Sequence, residues 1–422
     1  MTMNDRDRQP GVDLFDDPPW DTHRDVGRAL LARLRHVAFV VLLVILGLLG
    51  LLGVIAVASL VTLVSGFHLN IGPVNLAPPP PSSDGMDIAL SSDGSVAYVT
   101  EPNNNRLLVL SAATGRVLAT VAVGDDPAGL AVSPDGSQVW VVNTTLSSFG
   151  TGSSSGAGPG SVSVVSTATD HVLGTIPVGS GPIDVAFSPD GRSAYVTNNG
   201  VLLPGSVSVI DTTTLEVVGT LTPTPAPSPA SAGSNPTSVA VTPDGKEVWV
   251  SEVDDADGSS TTPDAVSVFD TTTGAQMARI PVGTGPYFMT LSHDGRDAYV
   301  ADKSSCDVRE IETATFRVVS TVDWPSSHGC PFGIAAGPDD NLVYTVTGSD
   351  HTFNQDHAGN AFGSVDFATD NARISGDVGR DPVTVALSGD TATAYVVDAD
   401  RPVIEVVDPT DGTIKTTLTI PD

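Results

Sequence analysis

The feature that most constrains this chain is a motif that returns seven times. An apolar run closed by a tight turn occurs as IALSSDG (88–94), LAVSPDG (130–136), VAFSPDG (185–191), VAVTPDG (239–245), MTLSHDG (289–295), IAAGPDD (334–340) and VALSGD (385–390). At a fixed distance beyond each copy stands an aromatic in a short β-prone run: Tyr98, Trp140, Tyr195, Trp249, Tyr299, Tyr344 and Tyr395. A third run recurs from LLVLSAATG to IEVVDPTDG, and a fourth from VLATVAVG to IKTTLTIP. Four short strands with turns between them make one antiparallel blade. Units of about 40 to 55 residues match the period of a propeller, whose closed ring leaves only short edges exposed. The expected fold is all-β: a seven-bladed β-propeller of four-stranded antiparallel blades over residues 86–422, preceded by one N-terminal transmembrane helix.

The repeat position takes five of the six tyrosines, which marks those rings as packing between neighbouring sheets. The wording of the repeat, AYVTNNG (194–200) and VSVIDTTT (207–214) with IPVGSGP-like ends, resembles the YVTN-type β-propeller repeat family across residues 86–422. The resemblance implies a propeller, in a family whose members are mostly exported binding or surface proteins, and it implies no single activity. The motif's Asn survives as Asn143 and Asn198, whereas Glu101, Glu252, Asp302, Thr347 and Asp398 replace it in the other blades.

Ahead of the repeats, Val37 to Val64 carries no charge, and about 20 such residues already span a hydrocarbon core of ~30 Å. Arg24, Arg28, Arg33 and Arg35 precede this run, and the next Lys or Arg after it is Arg106. That asymmetry predicts a cell-membrane protein with a single pass, a cytoplasmic N-terminus and an extracytoplasmic propeller. A cleaved signal peptide, with Ala56-Val57-Ala58 as its processing site, is the competing reading, but signal cores usually run about 7 to 15 residues. The expected organisation is a disordered cytoplasmic tail (1–36), a signal-anchor helix (37–64), a linker with the stiff Pro78–Pro81 spacer (65–85) and the propeller (86–422).

Charge narrows the partners. The net charge of -30 belongs almost wholly to the C-terminal part, since the first 36 residues hold six Arg and seven Asp, leaving 13 basic and 42 acidic residues beyond them. Phosphate backbones bind through Lys and Arg, so nucleic acid is excluded as a partner. The self-repulsion of such a surface favours a soluble, monomeric propeller. Cys306 and Cys330 are the only cysteines, and there is no Cys-x-x-Cys-His for covalent haem. Export to an oxidising compartment predicts a disulfide between them, against the alternative of two free thiols.

In a four-stranded meander, the connections between strands 2 and 3 leave the same face as those between blades. The insertions 144–160, 199–205, 253–264 and 348–363, the Pro/Ser-rich connection 222–236 and both cysteines all fall on this loop face. The opposite, turn face holds the Asp-Gly turns, including Asp93, Asp135, Asp190, Asp244 and Asp294, together with His171 and His293. Rigid scaffolds display binding loops in this way.

Three constellations on the loop face carry candidate chemistry. Asp254, Asp255 and Asp257 partly echo a calcium loop without its full spacing, and Asp350 and Asp356 are weaker additions, so Ca²⁺ or another divalent cation is the one cofactor entertained. His351 and His357, with His328 in the adjoining connection and Asp302, combine imidazole and carboxylate as acid–base work requires. Asp87, Asp184, Glu101, Glu252, Asp302 and Asp398 are expected at the channel mouth, as is Phe288, the carboxylates as a cation-binding set or as capping groups between blades. The leading reading is a non-enzymatic binding or scaffold module that meets an extracytoplasmic protein or envelope polymer. The alternative is a lactonase-like or lyase-like propeller enzyme, with or without a metal, using His328, His351, His357 and Asp302.

Overall fold

The computed structural model describes residues 86–144, 159–200, 204–224, 234–254, 264–325, 327–348, 359–399 and 401–420. The tail, the apolar segment 37–64 and the spacer lie outside these residues. Among the described residues no helix is long and apolar enough to cross a membrane.

Every repeat becomes one antiparallel sheet with its strands in chain order, and there are seven such sheets of four strands. The blades run from Ile88–Leu90 to Val117–Ala122, Pro127–Val132 to His171–Ser180, Pro182–Phe187 to Glu216–Leu221, Asn235–Val241 to Gln276–Pro281, Pro286–Leu291 to Arg317–Asp323, Cys330–Ala336 to Asn371–Asp377, and Pro382–Leu387 to Ile414–Thr419. Register within each is set by the turns. In blade 2 the Ser133 hydroxyl donates to Asp135 (2.7 Å), Asp135 accepts from the Ser137 amide (3.0 Å), and Gly136 takes φ +71°, where a side chain would be strained. Blade 7 places Thr391 at this position, with φ +54°. The two turns of a blade are also tied together, since Thr167, Thr212, Thr271 and Thr313 donate their hydroxyls to the carbonyls of Gly136, Gly191, Gly245 and Gly295.

The hydrophobic core is divided into seven clusters, one at each junction of successive blades. The repeated aromatic is buried in the junction with the next blade every time: Tyr98 between blades 1 and 2, Trp140 between 2 and 3, and so on to Tyr395 between 7 and 1. Trp140 meets Phe187 edge to face at 5.2 Å, and its indole N–H is satisfied by Gln138 (2.9 Å). Trp249 packs instead at a tilt on Phe316 of the strand 3–4 turn in blade 5 (5.9 Å), with Glu247 as acceptor for its indole N–H.

Ring closure uses the same packing and exchanges no strand. Met86, Ile88 and Leu108 of blade 1 pack on Tyr395, Ile404 and Leu418 of blade 7. The Thr384 hydroxyl donates to Asp87 across that junction (3.1 Å). On the outer, fourth strands Leu118, Leu173, Val218, Met277 and Val319 point to solvent.

Truncation at the junction and at the rim should therefore differ sharply. Trp140→Ala is expected to cost roughly 3–5 kcal/mol in urea unfolding, and Leu118→Ala less than about 0.5 kcal/mol. Equal effects would show that the aromatic wedge is not what holds the blades together.

Candidate functional site at the loop face

Each second strand carries a polar side chain near its loop-face end; in blade 6 it is Thr347, whose hydroxyl donates to the His328 carbonyl and accepts from the Ala361 amide, and the other six blades engage theirs in one of two ways. Asn143 and Asn198 donate to serine pairs on the third strand, Ser161 and Ser163 (3.1 and 3.0 Å) and Ser206 and Ser208 (3.3 and 3.0 Å). Where the residue is acidic, an arginine of the same blade answers it: Arg106 for Glu101, Arg279 for Glu252 and Asp254, Arg309 for Asp302 and Asp307, and Arg401 for Asp398 and Glu405. Arg309 Nε lies 3.1 Å from Asp302, and Arg401 Nη2 2.7 Å from Asp398. The same carboxylates cap the loop arriving from the fourth strand, as when the Gly283 amide donates to Asp302 (2.9 Å). A Cβ on Gly283 would stand 2.6 Å from the Asp302 carboxylate, which explains the glycine that ends each PVG run.

Glu101, Glu252, Asp302 and Asp398, expected at the channel mouth, are thus engaged inside their own blades. Burial pushes Glu252 up to about 7. It also raises Asp302 well above the carboxylate range, with the charge of Asp307 adding to the effect.

Asp87 and Asp184 are placed differently. They share one repeat position at the start of the innermost strand: Asp184 is the second residue after Pro182 and Asp87 directly precedes Ile88, with Gly129, Ser238, Phe288, Gly333 and Thr384 each second after the proline of their own blade. Their oxygens bridge blades around the channel. Asp87 accepts from the Leu130 amide of blade 2 (3.1 Å) and the Thr384 hydroxyl of blade 7. Asp184 accepts from the Ser238 hydroxyl (2.8 Å) and the Val239 amide (3.0 Å) of blade 4. Burial, then the negative charge of Asp184, pushes Asp87 up to about 6, and burial raises Asp184 as well.

Cys306 and Cys330 form a disulfide that ties the strand 2–3 turn of blade 5 to the first strand of blade 6. Closing a loop of that length contributes on the order of 3 kcal/mol through the unfolded state. Of the histidine and metal candidates, His351, His357, Asp255, Asp257, Asp350 and Asp356 lie outside the described residues. His328 is half-buried, pairs through Nδ1 with the Ser327 hydroxyl (2.8 Å) and lends its carbonyl to Thr347. The Asp254 carboxylate faces Arg279, and its amide donates to Asp264 (2.9 Å). Among the described residues no group of three or more His, Cys, Asp or Glu is arranged to hold a metal ion.

Sequence reasoning missed Tyr287 and Phe332. Together with Phe288 they form an aromatic group where blades 5 and 6 meet the channel. Phe332 lies 5.6 Å from Tyr287 and 5.0 Å from Phe288, ring centre to ring centre. The signal was available: Tyr287 is the one tyrosine outside the repeat position.

The pKa directions set a stability optimum in mild acid. Asp87 at about 6, and Glu252 and Glu310 at about 7, hold their protons more firmly folded than unfolded, so stability falls as pH rises from about 4 to about 7. Asp93, Asp244 and Asp408, held down to about 2 by hydrogen bonds in their turns, contribute stability that is present above about 4 and lost as pH falls toward 2. Calorimetry should find the highest melting temperature near pH 4, with a drop of a few degrees by pH 8. Glu252→Gln should flatten that alkaline limb, and a limb unchanged in the variant would count against the assignment.

Comparison with known proteins agrees with this architecture. Residues 86–292 match the family model described as the cytochrome D1 heme domain. A stretch of 113 residues is 31% identical to the seven-bladed beta-propeller protein Rv1057 of Mycobacterium tuberculosis, covering 27% of this chain and about a quarter (26%) of that relative's length. Among solved structures, hydrazine synthase of Kuenenia stuttgartiensis superposes with a TM-score of 0.64 at 20% identity, over 82% of this chain and 99% of the other. A functionally unknown protein from Desulfotomaculum acetoxidans gives 0.57 at 15% identity, over 77% and 95%. At such identities the two structures speak to the fold alone. With seven four-stranded blades, a propeller relative and two structural neighbours in agreement, the chain is a seven-bladed β-propeller protein.

Proposed function

We propose that this chain is a membrane-tethered binding module whose propeller, outside the cytoplasm, presents its loop face to an extracytoplasmic protein or an envelope polymer. One observation carries the reading: the two faces of the ring are built to different rules. On the turn face no connection within a blade exceeds six residues, whereas the loop face carries connections as long as 144–158 and the disulfide. A scaffold that needed only to close its ring would gain nothing from that asymmetry. The tether rests on the uncharged segment 37–64 and the arginines before it.

The matched family is named for a haem domain, and the described residues do not fit that group. A haem iron takes an axial ligand such as His, Cys, Met or Tyr from its protein. In the matched segment the one histidine, His171, opens the fourth strand of blade 2 at the opposite face, Met86, Met289, Tyr98 and Tyr195 are buried in the junctions between blades, and Met277 points to solvent on an outer strand, which leaves Tyr287 as the one such side chain outside them. The innermost-strand positions facing the channel supply Asp87 and Asp184, which would repel the carboxylates of a haem. The enzyme reading gains no support from its described members either, since Asp302 is held by Arg309 and Gly283, and His328 by Ser327.

Two measurements test the proposal. A phosphatase active only outside the cytoplasm should work when fused after residue 85 and fail when fused after residue 30; the reverse pattern would overturn the topology. Replacing 144–158 by a short Asn-Gly turn in the full chain should weaken sedimentation with purified envelope about tenfold, whereas Asp93→Ala on the turn face should leave it unchanged. Equal binding by both variants would remove the loop face from the function.

A further inference from the structure

One junction departs from the rule by which the ring is built. On the third strand, the residue paired in register with the repeated aromatic is Val109, Val164, Val209, Val268 and Val406 in five blades, each packed into the core shared with the next blade. In blade 6 it is Ser364, and in blade 5, opposite Tyr299, it is Glu310. Paired residues share a face of the sheet, so Glu310 turns its carboxylate toward blade 6, into the junction that Tyr299, Val308 and Val322 make with Val343, Val365 and Phe367. The residue is 9% exposed, and its carboxylate takes no hydrogen bond and no ion pair from any described residue. Valine satisfies the fold at this position in five blades, so packing does not explain the acid.

The charges that bear on Glu310 are negative. Asp297 lies two residues before Tyr299 on the second strand, and Asp370 comes from the strand 3–4 turn of blade 6. Glu312, Asp294 and Asp340 add negative charge around Asp297. The Ser320 hydroxyl, in register with Glu310 on the fourth strand, donates to Asp370 (2.8 Å) and not to Glu310. The Tyr299 hydroxyl is spent on the Asp340 carbonyl. The arginines of this region are engaged or outside: Arg309 serves Asp302 and Asp307, Arg296 pairs with Asp294, and Arg317 and Arg373 are exposed. Burial, then the charges of Asp297 and Asp370, pushes Glu310 up to about 7. The two ends of the junction also differ in restraint. Cys306–Cys330 staples blades 5 and 6 at the loop face, and Glu310 stands four residues beyond Cys306, about 13 Å toward the turn face.

We propose that the junction between blades 5 and 6 is a proton-operated seam: with Glu310 protonated its turn-face end is closed, and with Glu310 ionised that end opens while the disulfide holds the loop-face end shut. The device does not depend on what the loop face binds. A neutral carboxyl group fills the valine position and brings one donor to the acids around it. Ionisation removes that donor and sets like charges against one another where water reaches poorly, and opening to solvent relieves them. Glu310 holds its proton more firmly in the closed seam than when exposed. The stabilisation of the closed state is therefore fully present below about 4.5, is lost as pH rises to about 7, and changes little above that.

Hydrogen exchange of the full 422-residue chain in a sugar-based detergent tests this, read as protection factors at about pH 5 and about pH 7.5 so that the intrinsic pH dependence of exchange cancels. The fourth strand of blade 5 (317–323) and the turn 366–371 of blade 6 should lose protection by about tenfold or more between the two. The matching segments where blades 2 and 3 meet, 171–180 and 211–216, should change by less than about twofold. Glu310→Val, which restores the residue of five other blades, should abolish the loss and raise protection of the seam at the higher pH. Glu310→Gln should abolish the loss as well and serves if the valine variant does not fold, with melting curves reporting on both. Asp370→Asn should reduce the loss several-fold. Protection of the seam that is the same at both pH values, a loss that persists in Glu310→Gln, or an equal loss between blades 2 and 3 would overturn the proposal.

Discussion

A four-stranded blade has two apolar faces and no means of covering either by itself. Everything in this structure depends on the solution, which is to press each face against the next blade and to repeat that contact until the seventh meets the first. The aromatic of the second strand is the wedge. It is buried at every junction, and where it is tryptophan its indole N–H is met two residues away, by Gln138 and by Glu247, whereas the Tyr299 hydroxyl donates to the Asp340 carbonyl of the next blade. Because the junctions are apolar and alike, closure needs no exchanged strand, and blades 1 and 7 join through the same kind of core as any other pair.

This division of labour frees the two ends of the ring for different purposes. At the turn face the Asp-Gly turns and the threonine hydroxyls that brace them leave little room for variation. At the loop face a polar residue near the end of each second strand is the constant, and in six blades its chemistry is exchanged in sets. Asn comes with two serines, and Glu or Asp comes with an arginine. A buried carboxylate without its arginine would carry an uncompensated charge, so the two residues are kept together within a blade. The replacements of the repeat's Asn, which in sequence look like a row of free carboxylates at a channel mouth, are paired groups that hold loops in place.

Two elements break the internal symmetry without serving the ring. One is the set of long connections on a single face. The other is the aromatic group shared by blades 5 and 6, with the Lys303 ammonium over it and the disulfide beside it. In a repeat protein the positions that depart from the consensus without a packing reason are where function is most readily sought, because the fold would stand without them.

By itself the sequence determined the number of blades, the order of strands within each, the turn residues and the junction role of the repeated aromatic. All of these follow from local periodicity and turn chemistry, which act over a few residues. It also brought Cys306 and Cys330 to the same face, since strand count alone decides which end of a meander a connection leaves. Only the tertiary structure decided which carboxylates are consumed and which face the channel, because Asp302 and Asp184 are both acids in β-prone runs and differ in what the ring sets beside them. The same holds for Tyr287 and Phe332. They are 45 residues apart and meet because the curvature of the closed ring brings one innermost strand alongside the next, a long-range constraint that no local pattern encodes.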